Sequence, residues 1–207
     1  MTEIDFTPML AAHDAFRRDL DRLVAAAEAG LGGHPTVRSG WQTFQEQLDI
    51  HHKAEDEALW PRMRTRLADR PTDLALLDAM EAEHACVDPL LDAVDSALGT
   101  PGPALSEAAE KLSAALREHL EHEERDTLAL ITEEEWKAFS SHVRKTQGLS
   151  GAAEFFPWLM DDATPTGRRG AFLASLPLPA RLVFKLRWQP RYSRAHRWAA
   201  LTMATSA

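Results

Sequence analysis

The chain has 207 residues, 44% hydrophobic and 27% charged, with a net charge of −9 and one cysteine. That length suits one domain with an appendage and a core that needs no disulfides, and the lone Cys86 excludes a disulfide framework within the chain. The opening MTEIDFTPML carries acids where a secretory leader carries bases, and no run approaches the ~18 apolar residues of a membrane span, so the expected location is the cytoplasm, with no membrane partner.

The first helix should open at Thr7-Pro8, with proline in the first turn, and run to about Ala29, where Gly30, Gly32, Gly33 and Pro35 stop it. A second should span about Arg38 to Leu67 with a kink at Pro61. A third should run from Pro71-Thr72 to near Leu98 with a kink at Pro89. Gly99-Thr100-Pro101-Gly102-Pro103 is a breaker, and a fourth helix should follow from Ala104 to Ile131. Connections of a few residues make successive helices antiparallel neighbours. The fold class expected is therefore all-α, an antiparallel up-down-up-down four-helix bundle over residues 1–131.

Residues 132–207 form a helical or irregular extension, packed on the bundle or appended to it. Thr132 to Glu135 has the form of a capping box and should start a fifth helix that ends at Gln147-Gly148. Phe155, Phe156, Trp158 and Leu159 suggest a short helix, and Pro165 to Gly170 a loop. From Leu176 the text is rich in Pro, Arg and Trp, and fits either one more docked helix or a loose arm. Residues 137–207 hold 11 Lys/Arg against 3 Asp/Glu, while the rest hold 12 against 29. The plain reading is a basic extension lying on an acidic body; the sharper one is an arm for an acidic partner. No nucleic-acid motif is present, the body would repel phosphate, and the extension's partner stays unassigned.

The helical stripes carry polar residues. The second helix places Trp41, Phe44, Leu48, His51, Glu55 and Ala58 at steps of three and four, and the fourth places Leu112, Leu116, His119, Glu123, Asp126 and Leu130 likewise. The third stripe passes through Met80, His84 and Val87, and the first through Leu10, His13, Phe16 or Arg17, and Leu20. A carboxylate on an apolar face is costly unless compensated. Here each helix offers a histidine, and two add a glutamate one turn on, ~6 Å away along the same face. His13 precedes His51-x-x-x-Glu55 by 38 residues and His84 precedes His119-x-x-x-Glu123 by 35, so two half-sites should hold two cations, with the glutamates suited to bridge them. Imidazole and carboxylate without thiolate suit iron, manganese or zinc, and six ligands for a paired site favour iron. The metal-ligating set is His13, His51, Glu55, His84, His119 and Glu123. His52 and His122 fall off the stripes and are expected on the surface, although an alternative register would use His52 with Asp56. Asp14, Glu83 and Asp88 are candidate acceptors for ligand imidazoles, and Cys86 should be an inert core thiol. No Ser/His/Asp or Cys/His nucleophile arrangement is readable, so no catalytic residue is assigned.

The runs His51-His52-Lys53-Ala54-Glu55-Asp56-Glu57-Ala58-Leu59-Trp60-Pro61 and His119-Leu120-Glu121-His122-Glu123-Glu124, with His13-Asp14 and Glu83-His84, resemble the hemerythrin-like family, the HHE cation-binding domain, over about residues 5–131. The resemblance implies a four-helix bundle around a carboxylate-bridged pair of iron ions, and a protein that binds or reacts with dioxygen, peroxide or nitric oxide. A peroxide- or nitric-oxide-consuming oxidoreductase is one form this could take. An iron- or oxygen-sensing or iron-handling regulator without turnover is the alternative. The family's oxygen carriers have a second histidine one turn from the first on the third helix; Met80 and Asp88 stand there. Either a coordination position is open, which favours reaction over reversible carriage, or Asp88 fills it.

Overall fold

The computed structural model describes residues 4–100, 102–161 and 177–204. Every element among them is helical. Helix α1 spans Thr7–Glu28, α2 Pro35–Ala54, α3 Trp60–Arg66, α4 Pro71–Ala97, α5 Ala104–His122, α6 Glu133–Leu159, α7 Leu178–Val183, α8 Gln189–Ser193 and α9 Ala199–Ala204. Pro165 to Gly170, expected as a loop, lies outside the described residues.

Local chemistry sets most helix ends. Asp5 accepts the Thr7 N–H at 2.9 Å, so the acid two residues upstream does the work expected of Thr7. Pro35 begins α2 rather than ending the preceding turn. The His34 side chain accepts the Thr36 N–H at 3.3 Å, and proline in the first turn sacrifices no intrahelical bond. Pro89 lies inside α4, which continues through it. The capping box forms: the Glu135 N–H donates to Thr132 Oγ1 and the Thr132 N–H to Glu135 Oε2, at 3.4 and 2.8 Å. Glu135 is also clamped by both ends of the Arg66 guanidinium at 2.8 and 3.0 Å, which ties α3 to α6. At Gly148 the backbone swings to φ 57°, ψ −168° and the helix resumes, so Phe155 to Leu159 continue α6 after a kink.

Two π-helical turns were not expected. They occupy Glu55–Leu59 and Glu123–Thr127. The Glu55 carbonyl accepts from Trp60 N–H and that of Glu123 from Leu128 N–H, five residues on in both cases. Pro61 is not the common cause, because the first proline after Glu123 is Pro157, far beyond the turn. Each wide turn holds one extra residue and shifts the register beyond it. Leu59, Trp60 and Met63 are thereby buried after Glu55. After Glu123 it is Thr127, and not the expected Asp126, that turns inward.

The apolar core falls into two parts. One gathers Phe16, Leu20, Phe44, Leu48, Leu112 and Leu116 with neighbours. The other gathers Met9, Leu59, Trp60, Met63, Leu77 and Met80. The histidine and glutamate layer lies between them on every helix: His13 after Met9, His51 after Leu48, His84 between Met80 and Val87, and His119 after Leu116.

The extension shares the first core through Trp158, Leu159, Phe184, Tyr192 and Trp198. Trp158 Nε1 donates to the buried Asp19 at 2.8 Å, and Arg18 donates to the Trp158 and Asp161 carbonyls at 2.9 and 3.0 Å. Arg197 pairs with Glu154 and lies 4.2 Å from the Tyr192 ring centroid. Trp198 takes a positive φ of 62° and packs where a Cβ on Gly40 would strike its indole. Of the two readings, docked helix or loose arm, the described part of the segment is docked, as short helices. Cys86 is exposed, because α4 turns that face outward.

Candidate metal centre

Helices α1, α2, α4 and α5 each deliver an inward imidazole to the polar layer. His13 and His51 meet with their Nε2 atoms 3.1 Å apart, and His84 and His119 do so at 3.2 Å. Two donors at about 2.1 Å from one ion and about 90° apart would be separated by ~3 Å. Both pairs therefore converge as two ligands on one cation would.

Glu55 sits between the pairs. Its Oε1 is 3.1 Å from His51 Nε2 and its Oε2 is 3.4 Å from His84 Nε2. Glu123 Oε2 lies 3.3 Å from His13 Nε2. Both carboxylates are at 0% exposure, and none of their four oxygens has a hydrogen-bond partner. Four buried, orphaned carboxylate oxygens facing four imidazole nitrogens are costly as they stand. Cations at the two convergence points would satisfy them. The residues thus fit metal ions, in two groups whose ligand atoms lie within 4.8 Å of one another: His13, His51, Glu55 and Glu123, and His52, Glu55, His84 and His119.

His52 is the departure from expectation. It was assigned to the surface, yet it is 8% exposed. Its ring stacks on His84 with centroids 4.0 Å apart, and its Nε2 is buried without a partner. One stripe cannot hold adjacent residues, but a helix whose neighbours close on two sides can bury both. Asp88 is exposed and belongs to neither group, while Met80 is buried in the apolar core. His122 is half-exposed and donates Nδ1–H to Glu83 at 2.7 Å.

The outer faces of three imidazoles meet carboxylates. His13 Nδ1 lies 2.9 Å from Glu124, His84 Nδ1 2.9 Å from Asp56, and His119 Nδ1 2.9 Å from Glu83. An ionised carboxylate only accepts, so Nδ1 carries the hydrogen and the Nε2 lone pair is aimed inward. Glu83 was a predicted acceptor. The other two are Asp56 and Glu124, the residues just after each candidate glutamate ligand, and Asp14 and Asp88 do not serve. The signal was present in the repeat Glu55-Asp56 and Glu123-Glu124.

Charge is divided unequally without metal. Burial drives the Glu55 carboxyl well above its usual range, and the neighbouring Glu123 adds to this. Burial also works to raise Glu123, but the nearby His13, then His51 and His119, outweigh it and hold the carboxyl at about 2. Burial would lower His13, yet Glu123 and Glu124 raise it overall. His51 and His52 are pushed well down by burial and by neighbouring histidines. The metal-free layer thus favours a neutral Glu55 beside a His13–Glu123 ion pair, with His51, His52 and His119 biased toward the neutral, ligand-ready form.

The profile of the hemerythrin HHE cation binding domain matches residues 6–131. The chain belongs to the hemerythrin HHE family. Cation binding follows from that membership, and the buried His/Glu groups supply the place for it. Neither the curated proteins nor the solved structures contain a match to the chain. The family profile ends where the extension begins, so α6 and the segments beyond it lie outside what the hemerythrin match explains.

That extension shapes the approach to the centre. A cavity of about 250 Å³ lies between α1, α2 and α6, walled by Met9, Phe16, Trp136, Phe139 and Phe156 among others, and His51 forms part of its lining.

Proposed function

We propose that this hemerythrin-family protein holds two iron ions in an antiparallel four-helix bundle and binds or turns over a small oxidant: dioxygen, peroxide or nitric oxide. The observation that carries the reading is Glu55, buried and unpartnered, with one oxygen toward each imidazole pair. Such a carboxylate is suited to bridge ions ~3.5–4 Å apart. His13, His51, Glu55 and Glu123 would hold one ion, and Glu55, His52, His84 and His119 the other. The absence of thiolate ligands favours iron over a structural zinc. The packing of α1 on α2 and α5, and of α4 on α5, supports the bundle arrangement. The single, unpaired Cys86 supports a reducing, cytoplasmic setting.

Bound iron would supply electrons to the oxidant at an open coordination position. The chain's own residues do the rest. Asp56, Glu83 and Glu124 fix the imidazole tautomers by holding Nδ1–H. The apolar cavity admits a small uncharged molecule and resists water, since its walls offer few hydrogen bonds. It reaches the centre at His51, on the side with two imidazoles and two carboxylates rather than three imidazoles and one.

The test is metal content followed by oxidant exposure. Protein produced with iron should contain two iron atoms per chain by elemental analysis. In reduced form it should consume peroxide or nitric oxide faster than it holds dioxygen reversibly. One zinc per chain with no iron uptake would defeat the di-iron reading. Reversible oxygen binding through repeated vacuum cycles, without turnover, would make the protein a carrier.

A further inference from the structure

Residues 178–193 run as one helical arm, α7 and α8 joined by a π turn at Phe184–Trp188. Its inner side is anchored: Phe184 and Tyr192 are buried, and Trp188 stacks on Phe156 of α6 with ring centroids 5.7 Å apart. Its outer side is unusually apolar. Leu178, Leu182 and Leu186 are 72, 59 and 73% exposed, and Val183 is 40% exposed. Leu149 of α6 is also exposed and shares a cleft with Leu186. Among the described residues these are five of the six large exposed hydrophobics, the sixth being Met203. Three leucines at steps of four form one ridge along a helix.

Cations flank that ridge. Lys185 and Arg187 stand on either side of Leu186, and Arg191 and Arg194 follow; all four are exposed. None is in an ion pair or hydrogen bond with a described residue. Residues 177–204 contain six Lys/Arg and no Asp or Glu. An apolar ridge with basic flanks matches a lipid interface, where leucines enter the acyl boundary and long cationic side chains reach back to headgroups.

We propose that this arm seats the protein on an anionic lipid surface. Charge decides between occupants. A second copy meeting the same face would set Lys185 and Arg187 against their own counterparts. A nucleic acid would leave the leucines without a partner, since the ridge presents no aromatic for a base to stack on. An anionic bilayer satisfies both ridge and rim, and it repels the acidic body, so the protein would sit arm-down with the metal centre held away from the surface. The expectation of no membrane contact rested on the lack of a spanning segment. No helix among the described residues is long and apolar enough to cross a membrane, and a surface seat needs none.

The experiment is co-sedimentation of the metal-loaded, full-length protein with vesicles of phosphatidylcholine alone or mixed with phosphatidylserine. The native protein should pellet with the mixed vesicles and stay in solution with the neutral ones. Leu182→Ser with Leu186→Ser should weaken binding at least tenfold. Lys185→Gln with Arg187→Gln should weaken it roughly 25-fold, and high salt should do likewise. All four positions are exposed, so unfolding temperature and metal content should not change. The proposal falls if native protein ignores both kinds of vesicle, or if the double serine variant binds as well as native. It also falls if the native chain is a dimer in solution that Leu186→Ser converts to a monomer.

Discussion

Replacing Glu55 by glutamine should stabilise the metal-free protein and cripple the metal-loaded one. Without metal, burial raises the Glu55 pKa well above the ordinary 4.5. A group raised on folding contributes stability that is fully present below its unfolded value and is lost as pH climbs toward the folded value. A buried charge left uncompensated costs on the order of 3 kcal/mol, which bounds the loss by pH 7. Glutamine is permanently neutral and escapes that loss. Metal-free Glu55→Gln should therefore melt higher than metal-free wild type at pH 7, by up to roughly 10 °C for a chain of this size, and the gap should close toward pH 4.5. With metal the sign reverses, because the amide cannot give an anionic oxygen to both ions. The assay is thermal unfolding across pH with and without chelator, paired with iron titration. If the chelated variant is less stable than wild type at neutral pH, with an unchanged pH slope, Glu55 is ionised in the metal-free layer and the charge assignment fails.

His52→Leu should remove the ligand that completes the His84 and His119 group and reduce metal content toward one ion per chain, whereas His122→Ala should leave both; elemental analysis after dialysis decides it, and full loading of His52→Leu would return His52 to a packing role. Glu124→Ala removes the acceptor that fixes His13 and pairs with Arg17 at 2.8 Å. Metal affinity should fall about 10–100-fold, which a competing chelator measures, while an unchanged affinity would mean the His13 tautomer needs no help.

The bundle helices and the inward histidines were legible because one stripe at steps of three and four runs through hydrophobic and polar residues alike. His51 and His119 could be placed since each continues a row of leucines. His52 could not. Periodicity assigns one inward face, and two adjacent residues compete for it unless the helix is enclosed on two sides, which is tertiary information. The same limit hid the π turns. The two in the family domain begin at a candidate ligand glutamate, and nothing in Glu55-Asp56-Glu57 or Glu123-Glu124-Arg125 announces an extra residue per turn. Asp126 was misplaced for that reason. Asp88 was weighed as a replacement ligand on linear spacing from His84, but the α4 surface carries it outward, and the third imidazole comes instead from α2. The extension resisted reading because its docking depends on single contacts between distant residues, Trp198 on Gly40 and Trp158 on Asp19, which no local pattern encodes.

The near-repeat of the two hairpins makes its one break informative. His13 corresponds to His84, His51 to His119, Glu55 to Glu123 and Asp56 to Glu124. The second member of the His51-His52 pair has no such match, since Leu120 follows His119 and is buried in the apolar core. A symmetric centre would have two equivalent ions with equal access. Here one group gains an imidazole, while on the opposite side the counterpart position is hydrocarbon. The cavity built by α6 reaches the centre through His51, in the group with two imidazoles and two carboxylates. The carboxylate-richer ligand set and the apolar access therefore coincide at one of the two positions. That coincidence arises from independent parts of the chain, a single residue difference inside the family domain and an extension outside it. Two ions held alike for structural reasons alone would not require either. On the proposed reading, one position would anchor an ion and the other, beside the cavity, would meet the small molecule.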